Sequence, residues 1–476
     1  MRATVARLGV LCLPAMAAGA GYVLAFGASR FGDAAPIALL GLVLLPVLAV
    51  AVIDDPVLGL MAVTLVAPLG VHQVPGTPFE LVQVVVLAVI TLTVIPRLAT
   101  DEPPLEWPRP LWWLVGLCAW TLMAFPLSPD RSVATRIVAG FVLEVLFAGT
   151  VATACRTTFD VQRALTALVL TAGAVGISAP LSAGQVTAQY GGSLITGRFS
   201  GIFVEPNQMG TFSAVGALVA VGLALGGATR LIRWLAIAGG IGCLAGMLFT
   251  LSRGAWIGFT MGVVVLLFSV PAARRALLGL AVPVIVVAVA FGAFAPSNPQ
   301  VQVVGERIKS ITGERNPYDN RPAIWAEAIR LTNEKPLLGH GPGSYAVVSV
   351  LATSESRPTF AEHAHNVLLT FAVEEGLPAV ALLLAFTAHL ALLISRAGRR
   401  YRDARRHRDA ALLAGLAAAL VAVAGQGLVD YTLRNAVVLT SVFFVLGALL
   451  RMIELAPSSA PVPSAFATVR RPAVEP

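Results

Sequence analysis

Long apolar runs separated by short polar interruptions dominate this chain. Runs able to cross a hydrocarbon layer of ~30 Å fall near residues 8–28, 36–53, 56–72, 80–96, 111–128, 133–153 and 163–183. A second series lies near 208–227, 233–251, 254–270, 276–295, 366–394, 409–429 and 435–453. The pattern predicts an all-α, polytopic transmembrane helix bundle of about 12–14 spans, with 56–72 the weakest run of the fourteen. One long polar interval, from Asn298 to Gly376, breaks the series and ends in His363-Ala364-His365-Asn366. The expected organisation is an N-terminal transmembrane bundle over 1–295, a large extracytoplasmic loop carrying short helices over 296–365, and C-terminal transmembrane helices over 366–455. A disordered cytoplasmic tail rich in Pro, Ala and Ser follows over 456–476.

Composition agrees: 57% of the 476 residues are hydrophobic, 12% are charged and the mean hydropathy is +0.82, which excludes a soluble globular protein. The first run has a basic start but exceeds the apolar core of a signal peptide, so it reads as a span. Cys12, Cys118, Cys155 and Cys243 lie in or beside apolar runs, a distribution that suggests neither a disulfide frame nor a zinc cluster.

The net charge of +8 changes the picture through its distribution. With a cytoplasmic N-terminus, twenty of the thirty-three Lys and Arg fall on inner segments, seven of them between Arg396 and Arg408. The short outer segments keep Arg30, Arg131, Arg136, Arg198, Arg253 and Arg434. By the positive-inside bias both termini are cytoplasmic and the long loop is extracytoplasmic. The Arg396–Arg408 run is a segment for membrane lipids; without interleaved aromatics it does not suggest nucleic acid.

This topology gathers three polar motifs on the outer face: Arg198-Phe-Ser-Gly-Ile-Phe-Val-Glu205-Pro206-Asn207, the turn Ser252-Arg253-Gly254, and the long loop. Guanidinium forks suit phosphate oxygens, although each arginine has the blander role of an interfacial or loop residue. In the loop, Trp325 and Ala328 share a helix face one turn beyond Arg321, and the Trp is expected to anchor at the membrane boundary. Gly339, Gly341 and Gly343 form a tight turn without the Lys-Ser/Thr of a nucleotide loop. His365 precedes an apolar helix that Asn366 can cap, so its ring sits at the positive end of that helix and stays neutral, able to accept a proton. His363, farther out, is expected to be solvated. Glu374 and Glu375 could pair with an arginine. A His-Ala-His pair could instead chelate a metal, but no carboxylate cluster is evident to complete the shell, so neither metal nor cofactor is expected.

Taken together, Arg198 with Pro206-Asn207, Ser252-Arg253-Gly254, Arg321 with Trp325 and Ala328, Pro336 with the three glycines, and His365-Asn366 with Glu375-Gly376-Leu377-Pro378 resemble the O-antigen ligase and polymerase superfamily of bacterial polysaccharide assembly. The resemblance implies an inverting, metal-independent glycosyl transfer from an undecaprenyl-pyrophosphate-linked glycan to an acceptor hydroxyl of a glycan or glycolipid, on the outer face of the cytoplasmic membrane. Arg198, Arg253 and Arg321 would hold the pyrophosphate and His365 would be the base, with Asn207, Ser252, Trp325, His363, Asn366 and Glu375 in support. Ligases and polymerases share these motifs.

Two other readings compete. A secondary transporter or flippase for lipid-linked glycans would explain Glu144, a carboxylate in the middle of the sixth span. Against it stand the lack of an internal repeat and the gathering of polar residues on one face. A metal-dependent polyprenyl-phosphate-sugar transferase would use Asp33, in the first outer loop, as base.

Overall fold

A computed structural model describes residues 49–67, 77–100, 102–180, 185–190, 193–203, 205–275, 321–353 and 362–458. The expected spans at 8–28 and 276–295, Asp33, loop residues 296–320 and nearly all of the C-terminal tail lie outside the described residues.

The helices follow the apolar runs closely. They are α1 (Pro56–Val66), α2 (Leu81–Leu98), α3 (Leu111–Ala124), α4 (Arg131–Ala154), α5 (Thr158–Ser178), α6 (Pro206–Gly226), α7 (Arg230–Phe249) and α8 (Arg253–Ser269). After the undescribed stretch come α9 (Arg321–Glu334), the single turns α10 (Tyr345–Val348) and α11 (Val350–Thr353), then α12 (Val367–Glu374), α13 (Leu377–Asp403), α14 (His407–Gly427) and α15 (Ala436–Glu454). Among the described residues eight helices have the length and apolarity to cross a membrane, and α1, α3 and α8 are shorter apolar helices.

Local chemistry sets many of the boundaries. The Asp130, Thr157, Thr229, Ser252, Asn366 and Asn435 side chains each accept a hydrogen bond from a first-turn N–H of the helix that follows. Neighbouring helices then pack α5 on α7, α6 on α7 and α14, α8 on α14, and α4 on α15. With little hydrophobic drive between helices in lipid, close approach depends on small residues. Gly258 of α8 lies against the Ala422 carbonyl of α14, where any side chain would collide.

Glu144 is fully buried on α4 and accepts a hydrogen bond from Thr440 Oγ of α15 at 2.5 Å. That makes it an interhelical contact of the α4–α15 pair.

The architecture is helical as expected, and among the described residues it carries one addition: β1 (Gln185–Tyr190) and β2 (Ser193–Phe199) form an antiparallel hairpin before α6, pairing Val186 with Arg198. One expectation is corrected. The expected span at 366–394 is two helices, α12 and α13, broken at Gly376. Gly376 has φ 85°, and a side chain there would strike the Leu337 carbonyl. The apolar residues on either side of Glu374-Glu375-Gly376-Leu377-Pro378 dominate the average and hid the break, because hydropathy cannot register a backbone turn.

Candidate active site at one end of the bundle

Helix α12 is held by its caps. Asn366 Oδ1 accepts from Leu369 N–H at 3.0 Å, while Asn366 Nδ2 donates to the Leu428 carbonyl at 2.8 Å, tying the start of α12 to the end of α14. At the other end, His340 N–H donates to the Val373 carbonyl and Gly341 N–H to the Glu374 carbonyl, each at 2.8 Å. The glycine turn thus satisfies carbonyls that a helix end leaves open. Gly343 N–H also donates to Glu374 Oε2 at 2.8 Å. Gly339, Gly341 and Gly343 all have positive φ, as this clasp requires.

The residue just before the cap, His365, has φ 46°, a left-handed conformation uncommon for a side-chain-bearing residue. This turns the ring so that Nδ1 lies 2.9 Å from Oδ1 of Asp430, a residue only 2% exposed in the turn after α14. Tyr431 N–H donates to the same oxygen at 2.8 Å. Burial alone would raise the Asp430 carboxyl, but the His365 hydrogen bond and the charges of His365, His363 and Arg321 outweigh it and hold the group low, at about 2. An ionised Asp430 accepts the Nδ1 proton of a neutral His365, leaving Nε2 with its lone pair.

His363 is not solvated, contrary to expectation. It is 8% exposed, its Nδ1 accepts from His365 N–H at 3.2 Å, and its ring lies 4.4 Å from that of His365, centroid to centroid. Burial, reinforced by the His365 charge, pushes its imidazole down to about 3, so the ring is neutral at ordinary pH. The lack of a completing carboxylate is also corrected: Asp430 stands beside both histidines.

The predicted arginines converge on this end of the bundle. Arg198, 4% exposed on β2, donates from Nε to the Thr250 carbonyl at 2.9 Å and from Nη2 to Asn207 Oδ1 at 2.8 Å. It thereby joins the hairpin to the start of α6 and the end of α7. Asn207 in turn accepts from Gln426 Nε2 of α14 at 3.1 Å through its carbonyl. Ser252 caps α8, whose first residue is Arg253, and Gly254 packs on Gln426 and Val429 next to Asp430. Arg321 opens α9 and its charge acts on Asp430. Glu205, the residue before α6, feels Asp430, His365 and Arg198, and burial followed by Asp430 raises its carboxyl.

Trp325 packs against a small cluster that includes Ile324, Ala328, Tyr345 and Val373, so it holds the loop helix on α12. Glu374 pairs with Arg434, and Trp120 Nε1 donates to the carbonyl of buried Glu375 at 2.9 Å. Asp430 and Tyr431 escaped the sequence reading, which named Arg434 only among the arginines of the outer segments. The available signal was the polar interruption Asp430–Asn435 between two apolar runs.

Beneath this site, a cavity of about 660 Å³ runs between helices and is lined by Leu117, Phe371, Phe386, Leu390 and Phe443, with Arg136, Glu375, Tyr431 and Arg434 among its polar residues.

Residues 237–384 match a family model described as O-antigen ligase. No curated protein matches. The matched stretch takes in Ser252, Arg253, Arg321, Trp325, the glycine turn, both histidines and Glu375, while Arg198, Asn207, Asp430 and Arg434 lie outside it. Residues 237–384 are therefore similar to O-antigen ligases, within a chain that has, among the described residues, eight helices long and apolar enough to cross a membrane.

Proposed function

We propose that the protein transfers a glycan from an undecaprenyl-pyrophosphate-linked donor to an acceptor hydroxyl on the outer face of the cytoplasmic membrane, with inversion and without a metal. The observation that carries this reading is the His365–Asp430 pair, 2.9 Å apart at the mouth of α12, with the charge of Arg321 acting on Asp430. His365 Nε2 takes the proton of the acceptor hydroxyl as its oxygen attacks the anomeric carbon. The bond from that carbon to the pyrophosphate oxygen breaks, and its electron pair leaves with the lipid pyrophosphate. Attack opposite the leaving group inverts the centre.

Arg253 and Arg321 neutralise the leaving group, and Arg198, bonded to the Thr250 carbonyl just before α8, braces the turn that carries Arg253. Base assistance of this kind contributes ~10²–10⁴ in rate. The apolar cavity beside α12, lined mostly by apolar side chains with Tyr431 and Arg434 among its polar ones, suits a polyprenyl chain.

The testing experiment is transfer from purified lipid-linked glycan to candidate acceptors, in excess EDTA, with wild type and His365→Ala compared at equal amounts of folded protein. Activity in EDTA that His365→Ala abolishes is expected. Activity lost in EDTA and restored by a divalent metal would overturn the mechanism and return attention to Asp33.

A further inference from the structure

We infer that His363, His365 and Asp430 form a latent divalent-metal site, one that takes Zn2+ and shuts the catalytic site down when filled. One ring nitrogen from each histidine and one carboxylate oxygen of Asp430 lie within 4.8 Å of one another. Two imidazoles and a carboxylate are the ligand types of three-coordinate protein zinc sites whose fourth position is left to solvent or substrate.

The geometry is fixed by the fold. His365 is locked by its left-handed backbone, and His363 is pinned by the hydrogen bond from His365 N–H and by edge contact with the Tyr431 ring at 5.6 Å. Independently, Asp430 Oδ2 is buried and accepts no hydrogen bond among the described residues, although Oδ1 takes two. A carboxylate oxygen held this way has unused capacity for a cation beside the two rings. The charges of Arg321 and Arg434 act on Asp430 and His363 and oppose a dication. Occupancy is therefore reversible and depends on the metal supplied.

Shutdown follows from the proton inventory and rests on the reading of His365 as base. A metal on Nδ1 requires the Nδ1 lone pair, so the single proton of the neutral ring moves to Nε2, which then cannot accept one from the acceptor hydroxyl. A metal on Nε2 blocks that nitrogen directly.

The test uses full-length protein in detergent or nanodiscs, stripped with EDTA and titrated with Co2+ as a spectroscopic probe and Zn2+ as competitor. Expected is one Co2+ per chain with the visible bands of a four-coordinate site, displaced by Zn2+. His363→Ala and Asp430→Asn should each weaken binding by at least about 10-fold, while His389→Ala, on α13 away from the cluster, should leave it unchanged. Absence of stoichiometric binding, or binding retained in both cluster variants, would overturn the site. Melting curves of each variant separate ligand loss from misfolding, and a variant that fails to fold is replaced by His363→Gln, held to the same expectation. In the transfer assay Zn2+ should inhibit and EDTA should restore activity; full activity with the site filled would overturn the shutdown. Stoichiometric binding by protein that transfers nothing under any condition would leave the metal site standing and remove the proposed function.

Discussion

Asp430 Oδ1 stands 2.9 Å from His365 Nδ1 although 65 residues separate them in the chain. Asp430→Asn replaces an acceptor with an amide that can donate to Nδ1 and so shift the ring proton to Nε2. Its transfer rate should approach that of His365→Ala, ~10²–10⁴-fold below wild type. His363→Ala, which leaves the base in position, should lose less. Initial rates at equal amounts of folded protein check the order. Full activity in Asp430→Asn would remove the carboxylate from the mechanism, and an active His365→Ala beside an inactive His363→Ala would reassign the base.

Lysine preserves charge but not the guanidinium fork. Arg253→Lys and Arg321→Lys should impair transfer while abundance stays near normal. Arg198→Lys should also lower the melting temperature, because Arg198 satisfies both Thr250 and Asn207 from a buried position. Hydrogen bonds to charged groups of this kind are worth about 1.5–3 kcal/mol. Wild-type rates in all three variants would eliminate a pyrophosphate clamp made from them.

Arg434 donates to Glu374 and its guanidinium lies 5.7 Å from the centre of the Tyr431 ring. Because Glu374 is 2% exposed, Arg434→Ala leaves a buried carboxylate without its cation. The expected destabilisation is about 3–5 kcal/mol. Adding Glu374→Gln to that variant should recover part of the loss. Thermal unfolding in detergent, single against double variant, measures it, and additive losses would contradict the pairing.

Glu327 accepts two 2.8 Å hydrogen bonds from Arg330 and one of 3.2 Å from Val350 N–H, joining α9 to α11. The Arg330 hydrogen bond holds its carboxyl below the ordinary glutamate range, with burial opposing. A folded-state value below the unfolded one means stability that is present above the ordinary range and lost as pH falls through the depressed value. Hydrogen exchange at Val350 and Leu351, corrected for the intrinsic effect of pH, should therefore be slow at neutral pH and quicken in acid. Glu327→Gln should make it fast at neutral pH, and equal protection in that variant would show the tie to be unimportant.

The basic residues predict that residues 296–365 face outward and both termini inward. In a chain freed of its own cysteines, Asn333→Cys should label from outside and Asp403→Cys from inside with an impermeant reagent. Inside labelling of Asn333→Cys would sink the topology and the mechanism together.

By itself the sequence determined the membrane character, most described helix positions and the cap at Asn366, and it predicted that Arg198, Arg253, Arg321 and His365 gather at one end. These properties are local, or follow from counting crossings: an apolar run of span length must bury its backbone polarity in a helix, and each crossing reverses the face. Tertiary structure alone decided that Asp430 backs His365, that Glu374 meets Arg434, that His363 is buried, and that Gly376 splits an apolar run. Each depends on distant segments meeting at specific backbone angles: α14 must end beside the start of α12, and the glycine turn must close over its end. Hydropathy and spacing carry neither an inter-helix register nor a sign of φ. The hairpin at 185–199 belongs with these, because its strands sit in a polar interval where no apolar run marks them.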